Sequence, residues 1–310
     1  MRKNRFQINV TTGRLTLPVV ILVCLMLWIV SLDSWSDLGT LFIATCTAYI
    51  MIEANTAFTL IRTRTTSFVS LFIYLFSIQF FLHAFQLNAF TPIAWIIALF
   101  QLFKNYESSH PSGYIFHTFL SLSIGSLFFP QLLFFVPIFF IGTFYLRALN
   151  IKSFFASLLG LLVPYWGLFC YAFYTNNIEL FNAPIQELVH FEHINYSHFP
   201  KHVWISWILI TTLQLVCSIH YLTISHQDKT RTRTYMSFLI IIGLYTLLIL
   251  LMQPHHLNPL LSVQLICTSF LASHLFTLTQ NRFSGIFFIV TFVSLITLGI
   301  YNLWMQYFNF

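Results

Sequence analysis

The apolar residues of this 310-residue chain fall into eleven long runs, separated by short polar segments. A transmembrane helix needs about 20 predominantly apolar residues, and about 17–25 is the usual range. The pattern therefore predicts an all-α, polytopic integral membrane protein, a helical bundle with about eleven spanning helices. The predicted spans are residues 15–32, 41–61, 67–87, 89–103, 113–128, 132–147, 153–174, 203–224, 235–252, 260–278 and 283–304.

Three of these predicted spans, residues 89–103, 113–128 and 132–147, are short for a membrane. At about 1.5 Å per residue, each reaches only about 22–24 Å. We interpret them either as tilted helices in a thin region or as including one re-entrant pair. Such a pair would lower the predicted number of spans from eleven to nine without reversing the other loops.

Composition supports a lipid-facing exterior. The chain is 58% hydrophobic and 7% charged, whereas soluble domains carry about 25% charged residues. A domain of this size cannot hide so much apolar surface inside itself. The five cysteines all lie in apolar runs without the spacing of a metal site, so neither a metal nor another cofactor is predicted.

The basic residues distinguish the two faces of the predicted bundle. With eleven spans, thirteen of the fourteen Lys and Arg residues fall on the side of the N-terminus, and only Lys201 falls opposite. The positive-inside rule then predicts a cytoplasmic N-terminus and a C-terminus on the other side. Because the basic residues are scattered between apolar runs, the net charge of +6 does not indicate nucleic-acid binding.

One connection is long. Residues 175–202 are predicted to form a polar outer loop, in which residues 184–194 form a short interfacial helix that begins at Pro184. Loops held by a rigid scaffold often carry function. Apart from this loop, the chain is predicted to form a single transmembrane domain over residues 1–310.

Four side chains of this outer loop are candidate catalytic residues: Glu187, His190, Glu192 and His193. On a helix, His190 and His193 would share a face with Glu187. Two imidazoles and a carboxylate could serve as general base toward a hydroxyl acceptor or could bind zinc. The H-x-E-H spacing is not an accepted zinc signature, and a polar helix without chemistry is the structural alternative.

Asp33 and Asp37, in the first outer loop, form a second candidate catalytic pair. Their spacing resembles that of the acids that hold metal or act as base in lipid-linked sugar transferases. The alternative is structural, because the loop is short and Asp favours turns and helix starts. Another outer turn, residues 253–259, contains two His residues and could join the long loop in space.

Glu53 and Asn55 are polar residues inside the second predicted span. An ionisable residue at the centre of a membrane helix costs about 2.5–3.5 kcal/mol on insertion scales. We therefore expect either a partner that fixes helix packing or a role along a path for substrate or protons. The candidate partners are Arg62, Arg64, His117, His220 and His274.

The sequence contains one internal echo. Arg62-Thr-Arg64 and Arg231-Thr-Arg233 each precede a span on the predicted cytoplasmic side. Short basic segments at helix starts can resemble one another by composition alone. The alternative is an internal duplication in which each half contains six spans. In either case these four arginines are predicted to contact anionic lipids or anionic head groups.

Residues 41–170 resemble an uncharacterised family of polytopic inner-membrane proteins from Bacteroidetes. The resemblance rests on Asn55 late in the second span, on Phe-rich spans and on four segments. These segments are LFKNYESSHPSGYIFH, LFFPQLLFF, RALNIKSF and GLLVPYWG. The resemblance implies a multi-pass protein of a bacterial inner membrane with a periplasmic C-terminus, and it transfers no catalytic residue.

The predicted topology is also loosely similar to that of multi-spanning glycosyltransferases and polysaccharide polymerases. This similarity implies envelope glycan or lipid-linked-sugar transfer at the periplasmic face, with a polyprenyl-linked sugar as donor. The outer loop departs from it, because only Lys201 is basic where a diphosphate calls for arginine. The alternatives are a transporter or flippase and a non-catalytic scaffold subunit that binds an envelope protein.

Overall fold

The computed structural model describes residues 5–32, 34–191, 196 and 199–307. These residues form helices and connecting loops and contain no strand, which confirms the all-α prediction for this part of the chain. The helices are α1 Arg5–Thr12, α2 Thr16–Val30, α3 Asp37–Phe58, α4 Ser67–Ser77, α5 Thr91–Phe103, α6 Pro111–Ser126, α7 Val136–Tyr145, α8 Ile151–Tyr174, α9 Glu179–Val189, α10 Lys201–Ile224, α11 Thr230–Met252, α12 Leu257–Leu278 and α13 Arg282–Tyr307.

Helix length and composition indicate a membrane protein. Among the described residues, six helices (α3, α8, α10, α11, α12 and α13) are long and apolar enough to cross a bilayer. A seventh span results if α1 and α2, which meet at a bend of 78°, are counted together. The predicted number of eleven spans is therefore not supported by helix length, and the orientation of the termini stays a prediction.

The remaining predicted spans contain shorter helices because polar residues and prolines interrupt them. In the predicted span 67–87, α4 ends at Ser77 after 11 residues, and a 3-10 turn, Phe80–Leu82, follows. In the predicted span 132–147, the chain first forms a 3-10 helix, Pro130–Phe135, and only then the ten residues of α7. Proline starts such segments because it lacks the N–H that a helix interior requires.

The helices group into two compact units. The first unit contains Met1–Gln86, Asn195–Leu248 and Leu261–Phe310, and the second contains Leu87–Ile194 and Ile249–Leu260. The prediction of one transmembrane domain stays a prediction.

The core of the first unit is built around α12, in which every residue from 261 to 277 is buried. Polar side chains join this helix to α10. Gln264 donates to the Thr211 hydroxyl at 3.1 Å, and Thr268 donates to the side-chain oxygen of Gln214 at 3.4 Å. Such hydrogen bonds hold helices together where lipid offers no hydrophobic driving force between them.

The first unit has two distinct ends. At one end α1 meets α12, because Gln7 Nε2 donates to the carbonyls of Phe276 and Thr279 at 2.7 and 3.0 Å. At the same end, Thr232 at the start of α11 donates to the Thr59 carbonyl after α3. We call this the arginine end, since Arg62, Arg64, Arg231 and Arg233 lie in these segments.

The opposite end of the first unit is tied together by different contacts. Tyr307 at the end of α13 donates to the Val30 carbonyl at the end of α2. The Asp37 carboxylate at the start of α3 accepts from the Phe85 backbone N–H at 3.2 Å. The beginning and the end of α13 therefore lie at opposite ends of this unit.

In the second unit, small residues let helices approach closely. A Cβ added to Gly160 of α8 would lie 2.5 Å from the Phe116 carbonyl oxygen of α6. Ser123 of α6 also donates to the Leu161 carbonyl of α8 at 2.7 Å. Close contact through glycine and serine is the packing mode that membrane helices favour.

The structure corrects the predicted interfacial helix. α9 begins at Glu179, five residues before the predicted start, and Pro184 lies inside it. The helix ends at Val189, and His190 has an extended backbone conformation (ψ 100°). His190 therefore does not continue the helix that carries Glu187, so the predicted helical face shared by these two residues is wrong. His193 lies outside the described residues.

Candidate functional site

A polar cavity opens at the arginine end of the first unit. Its volume is about 160 Å³, and three ionisable side chains line it: Arg62, Asp228 and His274. The amide side chains of Gln227, Gln280 and Asn281 line it as well. This combination offers one guanidinium, one hydrogen-bonded carboxylate–imidazole pair and several neutral donors.

Asp228 and His274 form a buried, hydrogen-bonded carboxylate–imidazole pair. His274 Nε2 lies 2.8 Å from Asp228 Oδ2, and the two side chains are 3% and 4% exposed. The pair is positioned by two helix ends. α10 finishes in the 3-10 turn Ser225–Gln227, after which Asp228 is extended, and His274 lies in the last turns of α12.

The surroundings of Asp228 favour its charged form. Burial by itself raises the pKa of this carboxyl group, since desolvation penalises charge. The hydrogen bond and charge of His274, together with the charge of Arg62, outweigh burial and hold the pKa of Asp228 below its usual value of 3.8. The carboxylate is therefore ionised near neutral pH, and Arg62 supplies a further positive charge to the cavity.

The turn after α3 brings Arg62 to this cavity. Asn55 closes the helix, because its backbone oxygen accepts from Thr59 N and its side-chain oxygen accepts from Ile61 N at 2.9 Å. Thr59 has a left-handed backbone (φ 50°), which ends the helix. Asn55, a predicted intramembrane polar residue, thus has a positioning role, and Arg62 Nη1 approaches the Gln227 carbonyl at 3.5 Å.

The second arginine segment packs beside the first. The Arg231 Nε donates to the Tyr235 hydroxyl at 2.9 Å, and its guanidinium lies over the Phe58 ring, 6.0 Å from the centroid. The side chains of Arg62, Arg64, Arg231 and Arg233 are all exposed. The structure therefore brings the two halves of the internal echo to one end of the first unit.

Glu53 lies on an exposed side of α3. It precedes the last residue of that helix by five positions, which corresponds to about 7.5 Å. This places Glu53 near the arginine end and not at the centre of the helix. In the part of the chain that the structure describes, it lines neither the arginine-end cavity nor the apolar groove of the same unit.

Asp37 has a structural role, because its carboxylate accepts hydrogen bonds from backbone N–H groups. Its two carboxylate oxygens accept from Ser34 N at 3.0 Å and from Phe85 N at 3.2 Å. The side chain is buried in the first turn of α3, where a carboxylate interacts favourably with the helix dipole. Its predicted partner Asp33 lies outside the described residues.

Parts of the predicted outer site come together in the second unit. Gln131 Nε2 approaches the Glu187 side-chain oxygen at 3.4 Å and its carbonyl at 3.5 Å. The neighbouring Phe129 ring meets His256 edge-on at 5.5 Å. The turn at residues 129–131 thus contacts both the long loop and the turn at 253–259.

Of the other candidates of the outer loop, only His190 lies within the described residues. His190 is exposed, and Glu192 and His193 lie outside the described residues. Among the described residues, no group of three or more His, Cys, Asp or Glu side chains is arranged to hold a metal ion.

Sequence reasoning missed the Asp228–His274 pair. His274 entered only as a possible partner for Glu53, and Asp228 carried no motif. The available signal was its position: Asp228 directly follows a long apolar run on the side where almost all other charges are basic.

Comparisons of this chain with protein-family models, with curated proteins and with solved structures give no match. The resemblance of residues 41–170 to a Bacteroidetes family therefore stays an expectation. Function is inferred from the chemistry of the described sites.

Proposed function

We propose that this chain is a multi-pass protein of a bacterial inner membrane that handles a lipid-linked, anionic substrate in envelope glycan assembly. The observation that carries this proposal is the cavity at the arginine end, where Arg62 stands beside the Asp228–His274 pair. A guanidinium binds phosphate oxygens through two parallel hydrogen bonds. The surrounding amides suit the remaining phosphate oxygens or sugar hydroxyl groups.

The charges of the cavity favour an anion over a cation. Among the described residues, Asp228 is the one carboxylate that lines the cavity, and it is hydrogen-bonded to His274. Four arginines outnumber it, because Arg62 lines the cavity and Arg64, Arg231 and Arg233 extend positive potential over the same end. A polyprenyl-linked sugar phosphate, the substrate class implied by the loose similarity to multi-spanning glycosyltransferases, has the matching charge.

We further propose that the arginine end faces the cytoplasm and that the short segments also cross the membrane. Residues 67–85 support this, because Ser67 contacts Ser273 near one end of the first unit while Phe85 contacts Asp37 at the other. α4 and its 3-10 turn thus bridge the unit although α4 alone is short. With the N-terminal α1 at the arginine end and Tyr307 at the opposite end, the C-terminus would be periplasmic.

Binding in lipid nanodiscs tests the head-group site. We expect undecaprenyl phosphate to bind the wild type and to bind Arg62→Ala about tenfold or more weakly, because a charge-assisted hydrogen bond contributes about 1.5–3 kcal/mol. Lys152→Ala is the matched control, since Lys152 is an exposed cation on α8 of the second unit. Equal affinities of the wild type and Arg62→Ala would contradict the proposal.

The second unit supports a second candidate function, transfer to a hydroxyl acceptor at the periplasmic face. The observation that favours it is the approach of Gln131 to Glu187 beside the His256 turn. A carboxylate held in this way can act as a general base. Loss of surface glycan in a stably expressed Glu187→Gln strain, with normal glycan in Glu179→Gln, is the expected result, and normal glycan in both strains would exclude this role.

A further inference from the structure

A long apolar groove lies between α2 and α13 in the first unit. Its volume is about 630 Å³. Val19 and Val23 of α2 form one wall, Ile296 and Ile300 of α13 form the other, and Tyr74 of α4 contributes to the floor. The wall residues remain exposed at the surface of the unit, so the groove opens sideways.

Both ends of this groove are closed by contacts that α1 and α2 make with α13. At the arginine end, Phe6 of α1 packs edge-on against Phe288 and Phe292 of α13, with ring centroids 6.0 and 6.1 Å apart. At the opposite end, the Tyr307 hydroxyl donates to the Val30 carbonyl at 2.9 Å. A groove that is closed at both ends does not accommodate an additional α-helix, which is about 10–12 Å across with its side chains.

The groove is apolar along its length, and several of its hydroxyl-bearing lining residues already make hydrogen bonds within the protein. Thr11 and Thr16 donate to backbone carbonyls of the preceding turn, and Ser67 contacts Ser273. The exposed Arg14 lies in the bend between α1 and α2, directly before the lining residues Leu15 and Thr16. The groove therefore offers a hydrocarbon-like body with a positive charge at its arginine end.

The length of the groove suits one extended acyl chain. Its lining on α2 extends from Thr16 to Leu27, a rise of about 17 Å, and its lining on α13 extends from Phe288 to Leu303, a rise of about 22 Å. The acyl chains of one leaflet occupy half of a hydrocarbon core of about 30 Å, which is about 15 Å. One acyl chain that starts at the arginine end would thus run along the groove toward the opposite end.

We propose that the groove holds one acyl chain of an anionic glycerophospholipid, with the phosphate beside Arg14 at the arginine end. The site is distinct from the head-group cavity, because His274 and Ser273 are consecutive residues of α12 that line different openings. The inference rests on the membrane location and not on a lipid-linked substrate in that cavity.

Substitutions that fill the groove test this site. Val19→Trp places an indole in the groove at a position that is 55% exposed, so it does not disturb the core. Val290→Trp is the matched control, since Val290 of α13 is 58% exposed and does not line the groove. Ile300→Trp fills the groove from the other wall at a position that is 64% exposed.

The measurement is native mass spectrometry of the delipidated full-length protein, titrated with palmitoyl-oleoyl phosphatidylglycerol or with phosphatidylethanolamine of the same chains. We expect one tightly held phosphatidylglycerol, with an apparent Kd at least about tenfold higher in Val19→Trp and Ile300→Trp and unchanged in Val290→Trp. Arg14→Gln should remove the preference for phosphatidylglycerol, while Lys152→Gln should keep it.

Several results would overturn the proposal. One is equal phosphatidylglycerol affinity in the wild type and both groove-filling variants. Another is an equal loss of phosphatidylglycerol affinity in Val290→Trp. A third is binding of undecaprenyl phosphate in the groove in place of phosphatidylglycerol. The groove-filling variants should keep the undecaprenyl phosphate binding that Arg62→Ala loses. The proposed lipid groove and the proposed head-group cavity are therefore tested independently.

Discussion

Asp228 and His274 illustrate how single residues acquire a role from the ends of helices. Neither residue belongs to a motif, yet the 3-10 turn after α10 and the last turns of α12 place their side chains 2.8 Å apart. Asn55 acts in the same way at the end of α3, where its side chain closes the turn that leads to Arg62. The sequence shows which residues are polar, but it does not show the turns that position their side chains.

The Asp228–His274 pair predicts a pH-dependent contribution to stability. Because the pKa of Asp228 is lowered in the folded protein, its contribution is fully present above the pKa of the unfolded chain and is lost as the pH falls through the lower folded value. We expect Asp228→Asn to reduce the free energy of unfolding at pH 7 by about 1–3 kcal/mol.

Thermal unfolding in detergent at a series of pH values checks this prediction. The difference in Tm between wild type and Asp228→Asn should shrink as the pH falls below about 4. Glu179→Gln, which changes an exposed carboxylate at the start of α9, should leave the Tm nearly unchanged. A difference that stayed constant down to low pH would show that the variant acts through packing instead of charge.

At the scale of helices, small residues decide which faces touch. Gly160 and Gly167 both lie on α8, seven residues apart, but their surroundings differ. An added Cβ at Gly160 would meet the Phe116 carbonyl oxygen at 2.5 Å, whereas nothing lies within 4 Å of the corresponding position at Gly167. The sequence shows two equivalent glycines, and only the packing of α6 on α8 distinguishes them.

This difference predicts the outcome of a pair of matched substitutions. Gly160→Leu should destabilise the second unit by about 1–3 kcal/mol or more, because the added side chain collides with the backbone of α6. Gly167→Leu should be close to neutral in a lipid or detergent environment. Thermal unfolding of both variants in one detergent measures the effect, and identical Tm values would refute the close α6–α8 contact.

Helix boundaries were the least predictable feature at this scale. The apolar runs located the long helices well, because hydropathy directly reflects the need to satisfy backbone groups inside the helix. The α4 region reads as one apolar run of about 20 residues, yet α4 ends at Ser77. Hydropathy could not locate this end, because the two polar residues beside it, Gln79 and His83, are as buried as their apolar neighbours.

At the scale of the whole molecule, the distribution of charge predicts orientation. The arginine end and the opposite end of the first unit carry different residues, and Lys201 starts α10, which ends at the arginine end. If the arginine end is cytoplasmic, an alkaline phosphatase fusion after Lys201 should be active and a fusion after Lys229 inactive. Activity only after Lys229 would reverse the orientation.

The candidate sites could be predicted only in part at this scale. The four arginines were identified from sequence because charge is costly in a membrane and therefore informative wherever it occurs. The apolar groove could not be foreseen, since its walls consist of the same residues as any lipid-facing surface. Its shape depends on contacts with α13 at both ends, from Phe6 of α1 at one end and from Val30 of α2, which accepts from Tyr307, at the other.

The central claim is that the arginine end binds the anionic head group of a lipid-linked substrate, and photo-crosslinking tests it most directly. A polyprenyl phosphate with a photoreactive group next to the phosphate would be irradiated with the full-length protein in nanodiscs, and the labelled peptides mapped. We predict labelling of segments containing Arg62, residues 224–228 and residues 274–281, which is lost in Arg62→Ala. Labelling confined to the segments around Gln131, Glu187 and His256 would contradict this account.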